Sequence, residues 1–189
     1  ASGWESRPLA EFLDLLQQRL TSRPDVLAAL LVIELSHGLA PGEFGNSGDD
    51  QIQKLAAERL EFVPRHARDM LARLDRSRFA LFISDVSGPS HVKLAAHRVV
   101  SAFAIPLDLD SVQVLVRPRI GLATSPDQAN TAAGLLHCAQ VAVTKASSGG
   151  GISIYRAEMD AGERLARRMG PALRQAVALS ELEVFFHPQ

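Results

Sequence analysis

Apolar residues near the start of the chain recur at helical spacing: Leu9, Phe12, Leu13, Leu16 and Leu20. Pro8 suits the first position of that helix, and residues 21–24 end it. Residues 27–35 are almost continuously apolar, which predicts a buried central strand. Four glycines and one proline in residues 38–48 make a loop. Ser47-Gly48-Asp49-Asp50 resembles a capping box, opening a helix striped by Ile52, Leu55, Ala56 and Leu60. Pro64 breaks that pattern. Two apolar runs, 70–74 and 79–83, flank Asp75-Arg76-Ser77-Arg78 and read as a hairpin with a four-residue loop. Ser90 is placed to cap a helix carrying Val92, Ala95, Ala96, Val99 and Phe103. Residues 112–122 alternate as one strand, with Val112, Val114 and Val116 on one side. Residues 131–146 form a helix with Leu135, Leu136, Ala139 and Val143 inward, closed by the glycines of 147–151. Residues 152–155 are a short strand. A charged helical stretch over 158–178 is interrupted at Gly170-Pro171. Residues 181–187 alternate as a last strand.

Helices thus alternate with a mostly antiparallel sheet, the order of a two-layer α+β domain. At 189 residues, 47% hydrophobic and 22% charged, the chain is of ordinary globular composition, not a disordered tail, a collagen-like rod or a disulfide scaffold. A formal net charge of −1 lacks the footprint of a general nucleic-acid binder. Cys138 is the single cysteine and cannot form an internal bridge; its helical position predicts packing as a small apolar residue. The longest apolar run falls well short of the ~20 residues that span a bilayer. With no charged-then-apolar leader, the reading is a reducing, cytoplasmic location without membrane contact.

Candidate chemistry is sparse. The six histidines show neither HxH nor HExxH spacing, so no metal site is read from them. Ser147-Ser148-Gly149-Gly150-Gly151 is followed by no Walker lysine and reads as a helix cap. Arg164, Arg167, Arg168 and Arg174 decorate a solvated helix face. Nothing local points to a nucleophilic triad.

Several strings, in this order, resemble the GGDEF (diguanylate cyclase) family over about residues 8–157. Residues 28–35, ending Ile33-Glu34-Leu35, resemble its first strand with a metal-binding D-x-D end. Gly48-Asp49-Asp50 resembles its "G-D-E". Residues 72–74 and 79–83 resemble the arms of "A-R-L-G-G-D-E-F-A-L-L". Ile120-Gly121-Leu122-Ala123 resembles "S-I-G-I-A", and residues 139–142 stand where the family has "A-D-x-A-M-Y". Residues 173–189 resemble the entry to an EAL phosphodiesterase domain. The resemblance implies a palm-like, ferredoxin-like sheet flanked by helices. It also implies three parts: a GGDEF domain over 1–157, linker helices over 158–180, and the first strand of a truncated EAL domain over 181–189.

In that family the hairpin turn holds GTP at an interface of two molecules. A turn acid holds divalent metal together with an aspartate of the first strand. Two hard cations and a triphosphate need carboxylate oxygens near the attacking 3′-hydroxyl. Here the turn is Asp75-Arg76-Ser77-Arg78-Phe79, with both glycines replaced, Ser77 at the metal-binding position and Arg78 at the adjacent glutamate. Glu34 is the one surviving carboxylate, a vestigial metal position, and Ser36 stands at the next acidic one. The phosphate-contacting lysine position falls at Ser147, near Lys145. The 37–47 loop is short and lacks the guanine-reading asparagine. In the inhibitory R-x-x-D pair, Asp69 is kept but the arginine position is His66, beside Arg65 and Arg68. A neutral imidazole cannot grip phosphate bidentately, so a solvated basic turn is expected there.

These departures predict no catalytic residue, no bound metal and no cofactor. The function they imply is a catalytically inactive regulatory or docking module in cyclic-di-GMP signalling, in a tandem GGDEF–EAL protein. In this it resembles FimX-like regulators of type IV pili. Its implied partners are its own EAL domain and other signalling or pilus-assembly proteins, with cyclic-di-GMP engaged through the EAL domain and no nucleic acid bound. The alternative, motivated by Glu34 and Lys145, is a GTP-binding allosteric sensor that tunes the EAL domain. A weak active cyclase ranks third.

Overall fold

A computed structural model of the chain describes residues 8–37, 45–64, 66–109 and 112–161. Two units are distinguished: Ala1–Tyr155, and Arg156–Gln189, which is described only through residue 161 and contains a short 3-10 turn, Ala157–Met159. The expected linker helices beyond that turn and the expected strand over 181–189 lie outside the described residues. All the described strands and α-helices belong to the first unit.

Helix α1 spans Leu9–Ser22 and buries Phe12, Leu16 and Leu20, one per turn. Leu9, the outermost member of the predicted stripe, is exposed. Pro8 precedes the helix rather than starting it: its carbonyl accepts the Phe12 amide at 3.1 Å. Strand β1, Ala28–His37, is buried from Ala28 through Ile33 because it is covered on both faces. Helix α2, Gly45–Glu61, begins two residues before Ser47. The apparent capping box therefore lies within the helix rather than at its start, a correction to the expected boundary. Strands β2, Met70–Arg73, and β3, Arg78–Ile83, form the predicted hairpin.

Helix α3, Pro89–Ala102, starts at a proline with Gly88 as its cap, so Ser90 lies two positions past the cap and does not cap it. Residues 112–122 are not one strand. Leu107–Leu109 (β4) and Val112–Val114 (β5) form a separate two-stranded ribbon, and β6, Val116–Ser125, belongs to the main sheet. Val114 and Val116 are buried and Leu115 between them is exposed. The alternation thus runs through the break, which is why periodicity could not reveal it. Helix α4, Ala132–Thr144, is capped by Thr131, whose Oγ1 accepts the Gly134 amide at 3.2 Å. Strand β7, Gly151–Ile154, closes the order.

The main sheet runs β2-β3-β1-β6-β7; all its pairings are antiparallel except β6 with β7. The first four strands have the ferredoxin-like arrangement. Helices α2 and α3 contribute Ile52, Ala56, Leu60, Val92, Ala96 and Val99 to the core over Ala29, Leu31 and Ile33. Helices α1 and α4 pack together over the other face. Each fully buried Leu, Ile or Phe contributes about 1.5–3 kcal/mol, so this double-sided burial carries the fold. Among the described residues no helix is long and apolar enough to cross a membrane.

Candidate functional site

The β2–β3 turn and the polar end of β1 meet at one end of the sheet. Glu34 pairs with Arg78 across one side and with Arg119 across the other. The Leu35 amide donates to the Ser77 carbonyl at 2.9 Å, extending β1 alongside the turn. Directly opposed residues in antiparallel pairs share a face, so Glu34, Arg78 and Arg119 lie on the same side of the sheet.

The turn is built around Asp75. Its Oδ1 accepts the backbone amides of Ser77 and Arg78, both at 2.9 Å, and its Oδ2 accepts Arg78 Nε at 2.5 Å. Burial pushes the Asp75 carboxyl up. The two backbone amides and the Arg78 guanidinium outweigh it and hold the group below its ordinary value. Asp75 is an Asx-type staple that closes the turn. Arg73 reinforces it by donating from Nε to the Asp75 carbonyl at 2.9 Å and from Nη2 to Gln53 Oε1 at 3.2 Å. Arg76, exposed, pairs with Asp50 of α2 at 3.0 Å. Phe79 is fully buried in the core.

Glu34 accepts Arg119 Nη1 at 2.8 Å, and Arg119 Nη2 also donates to the Val143 carbonyl in α4 at 3.1 Å. Both side chains are largely withdrawn from solvent, at 29% and 21% exposure. Sequence reasoning missed Arg119. The available signal was a charged residue between Pro118 and Ile120 within a mostly buried strand. Ser36 donates its hydroxyl to the Arg117 carbonyl at 3.2 Å. Lys145 follows α4 and is exposed. Among the described residues no group of three or more His, Cys, Asp or Glu side chains is arranged to hold a metal ion.

His66 and Asp69 stand away from this turn, at the start of β2. Asp69 Oδ2 accepts the His66 backbone amide at 3.0 Å, and Oδ1 accepts the Ser84 amide at 3.1 Å. The carboxylate thus ties the loop before β2 to the end of β3. The His66 side chain is exposed. Arg65 and the loop over 38–44 lie outside the described residues.

Comparison with known proteins agrees with this architecture. The GGDEF domain of PA1120 (YfiN or TpbB) from Pseudomonas aeruginosa is 24% identical; the match covers 80% of this chain and 98% of that one, with a TM-score of 0.71. The active GGEEF domain of a diguanylate cyclase from Vibrio cholerae is 16% identical, covering 81% and 97%, with a TM-score of 0.63. An uncharacterized signaling protein of Caulobacter vibrioides is 28% identical over 92% of this chain, and so is the uncharacterized protein y4lL of Sinorhizobium fredii over 96%. The chain spans about a fifth of the length of these two relatives, 22% of each. The profile of the family described as "Diguanylate cyclase, GGDEF domain" matches residues 9–153, from the start of α1 into β7, and on that match the chain belongs to the GGDEF domain family of cyclic-di-GMP signalling.

Proposed function

We propose that this GGDEF domain is non-catalytic and serves as a regulatory or docking module of a larger cyclic-di-GMP signalling protein. One observation carries the reading: each acidic group described around the turn already has a guanidinium partner. Glu34 is held by Arg119, Asp75 by Arg78 and Asp50 by Arg76. A centre for two hard cations needs several carboxylate oxygens directed at one point. Here Ser77 offers a neutral hydroxyl, Arg78 a fixed cation, and Glu34 a carboxylate already neutralised. These donors do not fit a two-cation site, and no chemical step is derived through one.

Preservation of the hydrophobic frame supports a role that needs the fold rather than the chemistry. The resemblance of residues 173–189 to an EAL entry makes a tandem GGDEF–EAL parent the preferred context. Its other signalling or pilus-assembly proteins are the preferred partners, and the EAL domain is where cyclic-di-GMP is engaged. Incubation of the protein with GTP and Mg²⁺, followed by chromatography of the products, tests the first claim. No cyclic-di-GMP above the protein-free control is expected, and robust formation overturns the reading.

A second reading, GTP held without turnover, draws on the guanidiniums of Arg73, Arg76 and Arg78 gathered at the turn. Calorimetry with GTP decides it: saturable heat at millimolar ligand supports it, and none removes it.

A further inference from the structure

We propose that the open edge of β7 is a contact surface for a second copy of this chain, the two edges pairing antiparallel into one continuous sheet. Strand β7 is last in the order β2-β3-β1-β6-β7, so among the described residues no strand lies beyond it. It runs parallel to β6, with Arg119 level with Gly151 and Gly121 level with Ser153. The Tyr155 amide donates to the Leu122 carbonyl at 2.8 Å, which fixes the alternation: the backbone groups of residues 151, 153 and 155 face β6. The amides and carbonyls of Ile152 and Ile154 therefore face outward, and among the described residues they have no hydrogen-bond partner.

The two edges of the sheet are finished differently. Edges that must stay unpaired are blunted by charge, proline or a bulge. At the far edge, β2 ends in Arg73, whose side chain is tied to Gln53 and to the Asp75 carbonyl. Residues 151–154 read Gly-Ile-Ser-Ile, with no charge, no proline and two β-branched side chains. The sequence is also symmetric about Ser153. A two-fold axis there sets Ile152 of one copy opposite Ile154 of the other, twice over. Both residues turn their backbone outward, so each pair exchanges two hydrogen bonds and none of these outward groups is left over. Between the pairs the two Ser153 side chains lie opposite each other on the α4 face, within reach of a hydroxyl–hydroxyl contact.

The side chains fit the same register. Ile152 and Ile154 lie on the α3 side of β7, Ile152 packed against the core and Ile154 exposed. A cavity of about 560 Å³ lies beside Ile152 at the end of α3, with Val100, Phe103, Leu115 and Pro118 in its walls. A smaller one, about 160 Å³, lies beside Ile154, with Leu27, Val92 and Leu122 in its walls. Directly opposed residues share a face, so pairing sets an isoleucine of the second copy against the open side of each cavity. Apolar burial thus adds to the backbone bonds. Four residues per strand make a small contact, so the association is weak and depends on concentration. The axis reverses the strands and points the two hairpin turns in opposite directions. The contact is therefore independent of GTP and of whether the turn is catalytic.

Sedimentation velocity of the whole chain from about 10 μM to about 1 mM tests it, with amide hydrogen exchange measured at both ends of that range. The sedimentation coefficient should rise with concentration toward that of a dimer. The Ile152 and Ile154 amides should gain protection only at the high concentration, while the Ser153 amide, turned to β6, is protected at both. Ile154→Pro removes an outward N–H and leaves the β6 ladder intact. Ile154→Lys places on the edge the charge that blocks pairing elsewhere. Both should abolish the rise with the circular dichroism spectrum unchanged, and Ile154→Val should keep it. The exchange comparison on the parent chain stands whether or not the variants fold. A sedimentation coefficient constant up to about 1 mM overturns the proposal. So does self-association that leaves the Ile152 and Ile154 amides exchanging alike at both concentrations, or that survives both disruptive variants.

Discussion

Glu34 shows how a carboxylate at the end of a buried strand finds its partner. It ends the apolar run of β1, where a carboxylate would meet a cation, and Arg119 supplies that cation from the neighbouring strand at 2.8 Å. Both groups are substantially withdrawn from water, so the cost of separating them exceeds that of a surface pair. Arg119→Met should lower stability by about 1–3 kcal/mol, because it strands the carboxylate and frees the Val143 carbonyl. Glu34→Gln keeps an acceptor for the guanidinium and should cost less. Urea unfolding of the two variants compares them; equal costs would mean the ion pair is idle. Asp75 gives a pH signature. Burial opposes ionisation there, but the turn amides and Arg78 prevail and depress the folded-state pKa. Its stabilisation is therefore present above the unfolded value of about 3.9 and is lost as pH falls through the folded one. Asp75→Asn should cost up to about 1 kcal/mol at pH 7, since the pair is over a third exposed, and the gap to the parent should close as pH falls through the folded-state value.

At the scale of elements, two close approaches set the helices on the sheet. A Cβ on Gly121 of β6 would meet Ala139 O at 2.1 Å and Val143 N at 2.2 Å, both backbone atoms of α4. Glycine is required there by the nearness of the helix. Gly121→Ala should destabilise by about 1–3 kcal/mol or more, because a backbone neighbour cannot step aside as a side chain would. A melting temperature equal to the parent's would show that α4 can lift without loss. On the other face, Arg59 of α2 donates to the Ala102 carbonyl at 3.2 Å, to Pro106 O at 2.5 Å and to Ile105 O. The Ala102 carbonyl is one of those left open where α3 ends, and a cation there complements the negative end of the helix dipole. Arg59→Met, which keeps the aliphatic stem, should cost about 1–3 kcal/mol in chemical denaturation.

Across the whole molecule the sheet is buried from both sides, and Cys138 offers a reporter of how that burial opens. The residue is 6% exposed on α4. Labelling by a thiol reagent should be slow in the folded state and should track opening of the α4 face as denaturant is added. Rapid labelling in native buffer would mean α4 opens locally without the rest.

The run over 27–35, the amphipathic spacing of α1 and α4, and the paired apolar arms around residues 75–78 were enough to fix the elements, because burial demands a period that the sequence must carry. The absence of glycine from residues 75–78 and the carboxylate of Glu34 were equally visible, since residue type alone decides whether a carboxylate is available. Other features were beyond one dimension. The split of residues 112–122 into two sheets leaves the alternation unbroken, so only strand pairing reveals it. The partnership of Glu34 with Arg119 joins residues 85 apart, and Asp85 gathers Arg23 and Arg68 from separate elements. Charges act through space over a few ångströms, and which ones come that near is a consequence of the fold rather than of order along the chain.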